Sequence, residues 1–194
     1  MLVTDDRLLG EREPVAVCLA AVRGGVTCVQ LRLKGAASRD LVSAARALMA
    51  RLSVPLIVND RPDVAAAVGS GVHLGAEDVP IPLARAVLGQ GTVIGASVGN
   101  EEEARGALGA DYWGVGPWRG TDTKVDAGPG LGADGFRRLV ALAGGRPCLA
   151  IGGVRPEDVA AILSSGGAGV AVASGILAAG DVEAAARRYA QQFG

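Results

Sequence analysis

The chain has 194 residues, enough for one well-buried domain, and a formal net charge of −1 at pH 7. With 49% hydrophobic but only 3% aromatic residues, its core must be built from Ala, Val, Leu and Ile. There is no broad basic field for nucleic acid, so anion binding must be local, and no apolar run approaches the roughly 18 residues that span a bilayer.

Short β-branched runs alternate with longer alanine-rich segments of helical period. Leu2-Val3-Thr4 reads as a strand, and Met1 to Asp5 lacks the basic and apolar regions of a signal peptide, which predicts a cytoplasmic protein. Pro14 to Val22 is an apolar helix that ends toward Gly24-Gly25. Cys28 to Arg32 is the second strand, and Ser38 is placed to cap a helix over Arg39 to Arg51. Leu56-Ile57-Val58 is the third strand, followed by a short helix from Val64 to Val68. Gly71 to Leu74 is the fourth strand, with a helix from Pro82 to Leu88. Thr92 to Ala96 is the fifth strand, after which Asn100 caps a first turn of three glutamates, where the helix dipole favours negative charge.

Tyr112 to Val115 makes the sixth strand. A long loop punctuated by Gly and Pro follows, and a helix spans Ala133 to Leu142. Cys148 to Ile151 is the seventh strand, Pro156 opens the next helix, Gly169 to Ala173 is the eighth strand, and Asp181 caps the last helix. About eight strand–helix units of this kind predict a single-domain (β/α)₈ barrel, near the lower size limit of that fold, with a doubly wound open sheet as the alternative. Cys18, Cys28 and Cys148 are odd in number and widely spaced, which suits small buried thiols in a reducing compartment. The chain's only histidine is His73, which excludes a multi-histidine metal site.

In such a barrel the active site lies at the C-terminal ends of the strands. The second strand ends in Gln30-Leu31-Arg32-Leu33-Lys34, whose alternation turns Gln30, Arg32 and Lys34 the same way. Inward polar side chains need a ligand or a counter-charge, and an ion-pair network is the structural alternative. Asn59-Asp60 ends the third strand and Asp78 follows the fourth. Two carboxylates there suit a hard cation such as Mg²⁺ shared with ligand phosphates, although Asp78 alone also fits a helix cap before Pro80.

His73 is read as a satisfied interior histidine in preference to a base. Ser97 follows the fifth strand and is placed either to donate to a phosphate or to serve as a turn hydroxyl. Thr121, Thr123 and Lys124 offer two hydroxyls and a cation within the long loop, where Trp118 is the better of the two tryptophans for touching ligand. Gly152-Gly153 and Ala173-Ser174-Gly175 end the last two strands, where glycine-exposed amides make a phosphate cradle. Two anion sites in one barrel suggest a reaction that joins two phosphorylated small molecules.

These pieces, taken in order, resemble the thiamine phosphate synthase family over nearly the whole chain. They are Leu2 to Asp5, Val29 to Lys34, Val58 to Arg61, Gly71 to Asp78, Thr121 to Lys124 with Asp126 to Pro129, and Ala150 to Gly153. The resemblance implies condensation of hydroxymethylpyrimidine pyrophosphate with a hydroxyethylthiazole phosphate, giving thiamine monophosphate and pyrophosphate by dissociative loss of pyrophosphate. It further implies that Gln30, Arg32, Lys34, Asn59, Ser97 and Lys124 hold the pyrimidine substrate, with Arg32, Lys34, Lys124 and Ser97 catalytic. Asp60 and Asp78 would bind Mg²⁺, and Thr121, Thr123, Gly153, Ala173 and Ser174 would hold the thiazole phosphate.

The chain departs from the family at three places. The family usually has an acid where Leu33 stands and an aromatic–proline pair where Arg119-Gly120 stand. It often has a histidine where Gly99 stands, and the related thiazole tautomerase uses that histidine. Arg119 is expected to add positive charge to the phosphate loop. The alternatives are therefore a tautomerase-like isomerase and a non-catalytic phosphate-ligand binding protein. Whether copies of the chain form a homo-oligomer stays open.

Overall fold

The structure is a computed structural model and describes residues 1–120 and 130–194. In chain order it contains β1 (Leu2–Val3), α1 (Asp6–Leu9), α2 (Pro14–Arg23), β2 (Val29–Leu31), α3 (Ser38–Met49), β3 (Leu56–Asn59), α4 (Pro62–Val68), β4 (Gly71–Leu74) and α5 (Ile81–Leu88). The second half adds β5 (Ile94–Val98), α6 (Glu101–Gly106), β6 (Tyr112–Val115), α7 (Gly132–Leu142), β7 (Cys148–Ile151), α8 (Val159–Ser164), β8 (Gly169–Ala171), α9 (Ser174–Leu177) and α10 (Val182–Ala190).

All eight strands pair in parallel with their sequence neighbours. The last returns to the first through a parallel bridge between Leu2 and Val172, with Val3 N donating to Val172 O at 2.9 Å and Val172 N to Met1 O at 3.0 Å. The result is a (β/α)₈ barrel, as the alternation of elements predicts. No helix among the described residues is long and apolar enough to cross a membrane.

Local chemistry explains most of the boundaries. Pro14 occupies the first turn of α2 while the Glu13 carboxylate accepts from the amides of Val15 and Ala16. Asn100 and Asp181 accept from Glu103 N and Ala184 N, each at 2.9 Å, and so cap α6 and α10 as expected. Ser38 does not cap α3; it is the first helical residue, and Ala37 stands at the cap without a side-chain bond.

The fifth strand starts two residues later than its β-branched run suggests. Thr92 Oγ1 donates to Leu88 O at 2.8 Å, and the Arg85 guanidinium holds Thr92 O, so Thr92 closes α5 instead of entering the ladder. At its other end β5 runs on to Val98 by pairing with β6, so Ser97 lies on the strand opposite Gly114 and not in the turn beyond it. The eighth strand ends at Ala171, and Ala173 turns the chain into α9.

The barrel interior is filled by large side chains set against glycines. A Cβ at Gly71 would lie 2.5 Å from Ile57 Cδ1, and one at Gly95 would lie 2.1 Å from Tyr112 Cζ. At Gly114 it would lie 3.1 Å from His73 Cε1, and at Gly169 3.2 Å from Leu149 Cδ2. Each glycine is thus the space that one interior side chain occupies, which is how eight short strands reach close packing with few aromatic residues.

Candidate active site

A cavity of about 530 Å³ opens at the C-terminal ends of the strands. It brings together Gln30, Arg32, Lys34, Asn59, Asp60, Asp78, Ser97, Gly153, Ala173 and Ser174, whereas Trp118, also expected to touch ligand, is not among its lining. Thr121, Thr123 and Lys124 lie outside the described residues.

The cationic side is built on β1 and β2. Thr4 and Arg32 clamp the two strand ends together, with Arg32 N donating to Thr4 Oγ1 at 2.8 Å and Thr4 Oγ1 donating to Arg32 O at 3.1 Å. The Arg32 guanidinium pairs with Asp5, whose other oxygen accepts from Arg7 N and Leu8 N at the start of α1. Asp5 is therefore a cavity-lining residue that the sequence analysis did not single out. One buried carboxylate both starts a helix and aims a cavity arginine. Its signal was present, since Thr4-Asp5 is a polar pair at a strand end, the same pattern that marks Gln30, Arg32 and Lys34.

Lys34 Nζ lies 3.3 Å from Asp60 Oδ2, an ion pair facing solvent at the cavity mouth. Asp60 has φ 62, the one described non-glycine residue with positive φ, and its N donates to His73 O at 2.8 Å. Aspartate is one of the few non-glycine residues that adopt the left-handed region readily, and the ladder-type bond holds it there at the strand end. Asp78 Oδ2 accepts from Gly75 N at 2.7 Å and does not cap α5, whose cap position is Pro80.

Burial pushes the Asp78 carboxyl above the usual carboxylate range; the Gly75 amide opposes this, and the neighbouring Asp60 carboxylate adds to it. Among the described residues no group of three or more His, Cys, Asp and Glu could hold a metal ion. Two adjacent carboxylates do fit a Mg²⁺ ion that takes its remaining ligands from water and phosphate oxygens.

Across the cavity, Gly152 and Gly153 (φ 86 and 64) follow β7, and Ser174 opens α9. The chain leaving β6 is pinned to them, with Trp118 N donating to Ile151 O at 2.7 Å and Arg119 N to Gly152 O at 2.9 Å. Arg119 borders a groove beside the cradle residues Gly153 and Ser174, but its charge is paired within the protein. Its Nε donates to Asp158 Oδ2 at 3.1 Å and a second nitrogen to Oδ1, so the guanidinium is spent on a buried carboxylate. Burial pushes the Asp158 carboxyl up, but bonds from Arg119, the Arg155 amide and Trp118 outweigh it and hold the group below its ordinary value.

Trp118 is a packing residue. It is buried edge-on against Phe136, with ring centroids 5.6 Å apart, and does not border the cavity. Leu33 packs against the hydrophobic core. Gly99 N donates to Glu103 Oε2 at 2.6 Å, and a Cβ there would lie 3.0 Å from Gly116 O. A side chain at this position would require the backbone at Gly116, just beyond β6, to shift by a few tenths of an ångström.

On the floor, His73 is buried and hydrogen-bonded through both ring nitrogens, to Tyr112 Oη at 2.9 Å and to Ser97 Oγ at 3.0 Å. It is the satisfied interior histidine of the sequence reading. It also borders the cavity and touches a site residue.

Fold and site define a (β/α)₈ enzyme whose strand-end cavity opposes a cation–carboxylate cluster to a glycine-lined cradle. The family profile described as thiamine monophosphate synthase matches residues 1–176. The chain is 49% identical to the thiamine-phosphate synthase of Azorhizobium caulinodans, over 96% of this chain and 90% of that one. It is 50% identical to that of Xanthobacter autotrophicus, with the same coverage of 96% and 90%. The solved thiamine phosphate pyrophosphorylase of Pyrococcus furiosus superposes with a TM-score of 0.86 at 35% identity, covering 98% of this chain and 93% of the other. The chain belongs to the thiamine monophosphate synthase family, and is a transferase.

Proposed function

We propose that this enzyme joins hydroxymethylpyrimidine pyrophosphate to hydroxyethylthiazole phosphate, releasing pyrophosphate and forming thiamine monophosphate. The reading is carried by the gathering of Arg32, Lys34 and two acids against one wall of the cavity, with the Gly153–Ser174 cradle opposite. In the reaction the bond between the pyrimidine methylene carbon and the diphosphate oxygen breaks, and the electron pair leaves with the diphosphate. The electron-rich pyrimidine ring stabilises the resulting cation, and the thiazole nitrogen's lone pair then closes the new carbon–nitrogen bond.

Such a step asks for little proton transfer. It asks for fixed donors and cations where the leaving charge develops, and for a nucleophile already in place. Arg32, aimed by Asp5, and Lys34 would bear on the diphosphate together with Ser97 and Lys124, while Gln30 and Asn59 would orient the pyrimidine. Gly153, Ala173 and Ser174, with Thr121 and Thr123 of the loop, would hold the thiazole phosphate. Asp60 and Asp78 would hold Mg²⁺, which when bound supplies charge neutralisation for the leaving diphosphate.

We read the chain as acting as one domain. Three free cysteines, two of them buried, support the reducing cytoplasm as its working environment. The test is pyrophosphate release by the purified chain, with each substrate and Mg²⁺ omitted in turn. Release that requires both substrates is the expected result. Turnover of the thiazole phosphate alone would point to an isomerase, and ligand binding without turnover to a binding protein.

A further inference from the structure

Beside the Gly153–Ser174 cradle lies a groove of about 600 Å³ that the chemistry just described does not use. Gly153 and Ser174 line both the groove and the main cavity, so a phosphate on the cradle borders both spaces. Three other segments each give the groove an arginine: Arg7 from α1, Arg119 from the chain leaving β6, and Arg155 from the stretch between β7 and α8. The frame that carries them is fixed. Arg12 donates to Leu8 O on α1 and, at 2.6 Å, to Leu177 O on α9, which ties the helix bearing Arg7 to the helix that Ser174 opens. Asp158 accepts from Arg155 N at 2.9 Å and pairs with Arg119. Tyr189 Oη donates to Val154 O at 2.9 Å and would lie 2.1 Å from a Cβ on Gly175, so one hydroxyl braces both cradle loops.

The charges around the groove do not cancel. Among the described residues its only acid is Asp5, buried, with one oxygen on Arg32 and the other on the α1 amides. Arg119 is neutralised by Asp158, yet that pair takes two of the five N–H donors of the guanidinium and leaves its side chain 47% exposed. Arg155 faces Glu157 across 4.0 Å with both side chains 66% exposed, too loose a pair to cancel its charge. Arg7 is exposed and forms no ion pair among the described residues. An anion placed beside the cradle therefore meets two cations that no acid holds tightly, and spare donors on a third.

We propose that the groove is a subsite for a second phosphoryl group, so that an organic diphosphate binds with its inner phosphate on the cradle and its outer phosphate among Arg7, Arg119 and Arg155. The inference rests on the transferase reading for what occupies the cradle. It adds a ligand class to that reading: the diphosphate ester of the product, which fills the site and competes with the thiazole phosphate. Guanidinium forks suit the outer phosphate because its oxygens accept several charge-assisted bonds at once.

Calorimetry with thiamine monophosphate and thiamine diphosphate tests this. Wild type should bind the diphosphate about 10-fold more tightly, by a margin that shrinks as salt rises because the arginines face solvent. The double variant Arg7→Ala/Arg155→Ala removes two exposed side chains and should abolish the preference while leaving monophosphate affinity nearly unchanged. Lys34→Ala, on the opposite wall, should keep the preference. Equal binding of the two ligands by wild type overturns the proposal. So does a preference that survives the double arginine variant or vanishes with Lys34→Ala. The comparison needs no turnover: if wild type releases no pyrophosphate from its two substrates, the transferase reading fails, and the binding ratios still decide the groove.

Discussion

Replacing Asp5 separates two functions that one carboxylate performs. Its side chain is 7% exposed and that of its partner Arg32 19%, with Arg32 facing the cavity. Removing one member of a fully buried pair costs about 3–5 kcal/mol, and because Arg32 can reach cavity water we expect about 2 kcal/mol here. Losing the cap on Arg7 N and Leu8 N adds about 1 kcal/mol. Asp5→Ala should therefore lose about 3 kcal/mol, a fall in Tm of roughly 6–12 °C for a chain of this size. Asp5→Asn can still accept from the α1 amides and should lose only the ion-pair share.

Arg32 is left without its guide in both variants. Pyrophosphate should therefore stabilise both more than it stabilises wild type, and kcat should fall by about 10-fold or more, the lower end of what supporting residues contribute. Thermal melts with and without pyrophosphate, beside steady-state assays, measure all of this. Equal melting of the Asn and Ala variants, with wild-type turnover in both, would refute the division of labour.

Four further outcomes are expected. Gly95→Ala forces a methyl into the Tyr112 ring and should destabilise by about 1–3 kcal/mol while releasing the Tyr112–His73 contact, read by denaturant melts and the histidine nitrogen spectrum. Asp60→Gly removes a left-handed aspartate and should gain up to about 1 kcal/mol in stability while losing Mg²⁺-dependent turnover; a less stable, fully active variant would contradict the assignment. Asp158→Asn should melt below wild type at neutral pH. Because the folded Asp158 pKa is depressed, its contribution is full above the ordinary carboxylate value and lost as pH falls through the lower one, so the gap between the two melting curves should close in acid. Lys34→Ala should change stability little, since its ion pair faces solvent, yet weaken pyrophosphate binding measured by calorimetry.

The barrel was legible because its strands are unbroken apolar runs spaced by helical segments, a pattern that survives errors of two residues at any boundary. The site was legible where a polar residue interrupts a strand end, as at Gln30, Arg32, Asn59 and Asp60. What escaped was partnership. Nothing local in the sequence says that Arg119 spends its charge on Asp158, thirty-nine residues away, or that Trp118 turns inward onto Phe136. Thr92, a good strand former, stays out of β5 because its hydroxyl bonds the carbonyl of Leu88, while Ser97 is drawn into the strand by pairing with β6. Propensity carries no information about such competing bonds. Tyr112 passed unnoticed because a tyrosine at the start of a strand reads as packing, and only the facing glycines show that its hydroxyl reaches the centre.

The matched large and small residues inside the barrel bear on how this chain can vary. Gly95 cannot acquire a side chain while Tyr112 keeps its ring. Neutral drift at this pair must therefore move through joint exchanges, with bulk handed from one strand to its neighbour. An engineer who wished to repack the barrel interior would do better to trade both partners at once than to test each position singly.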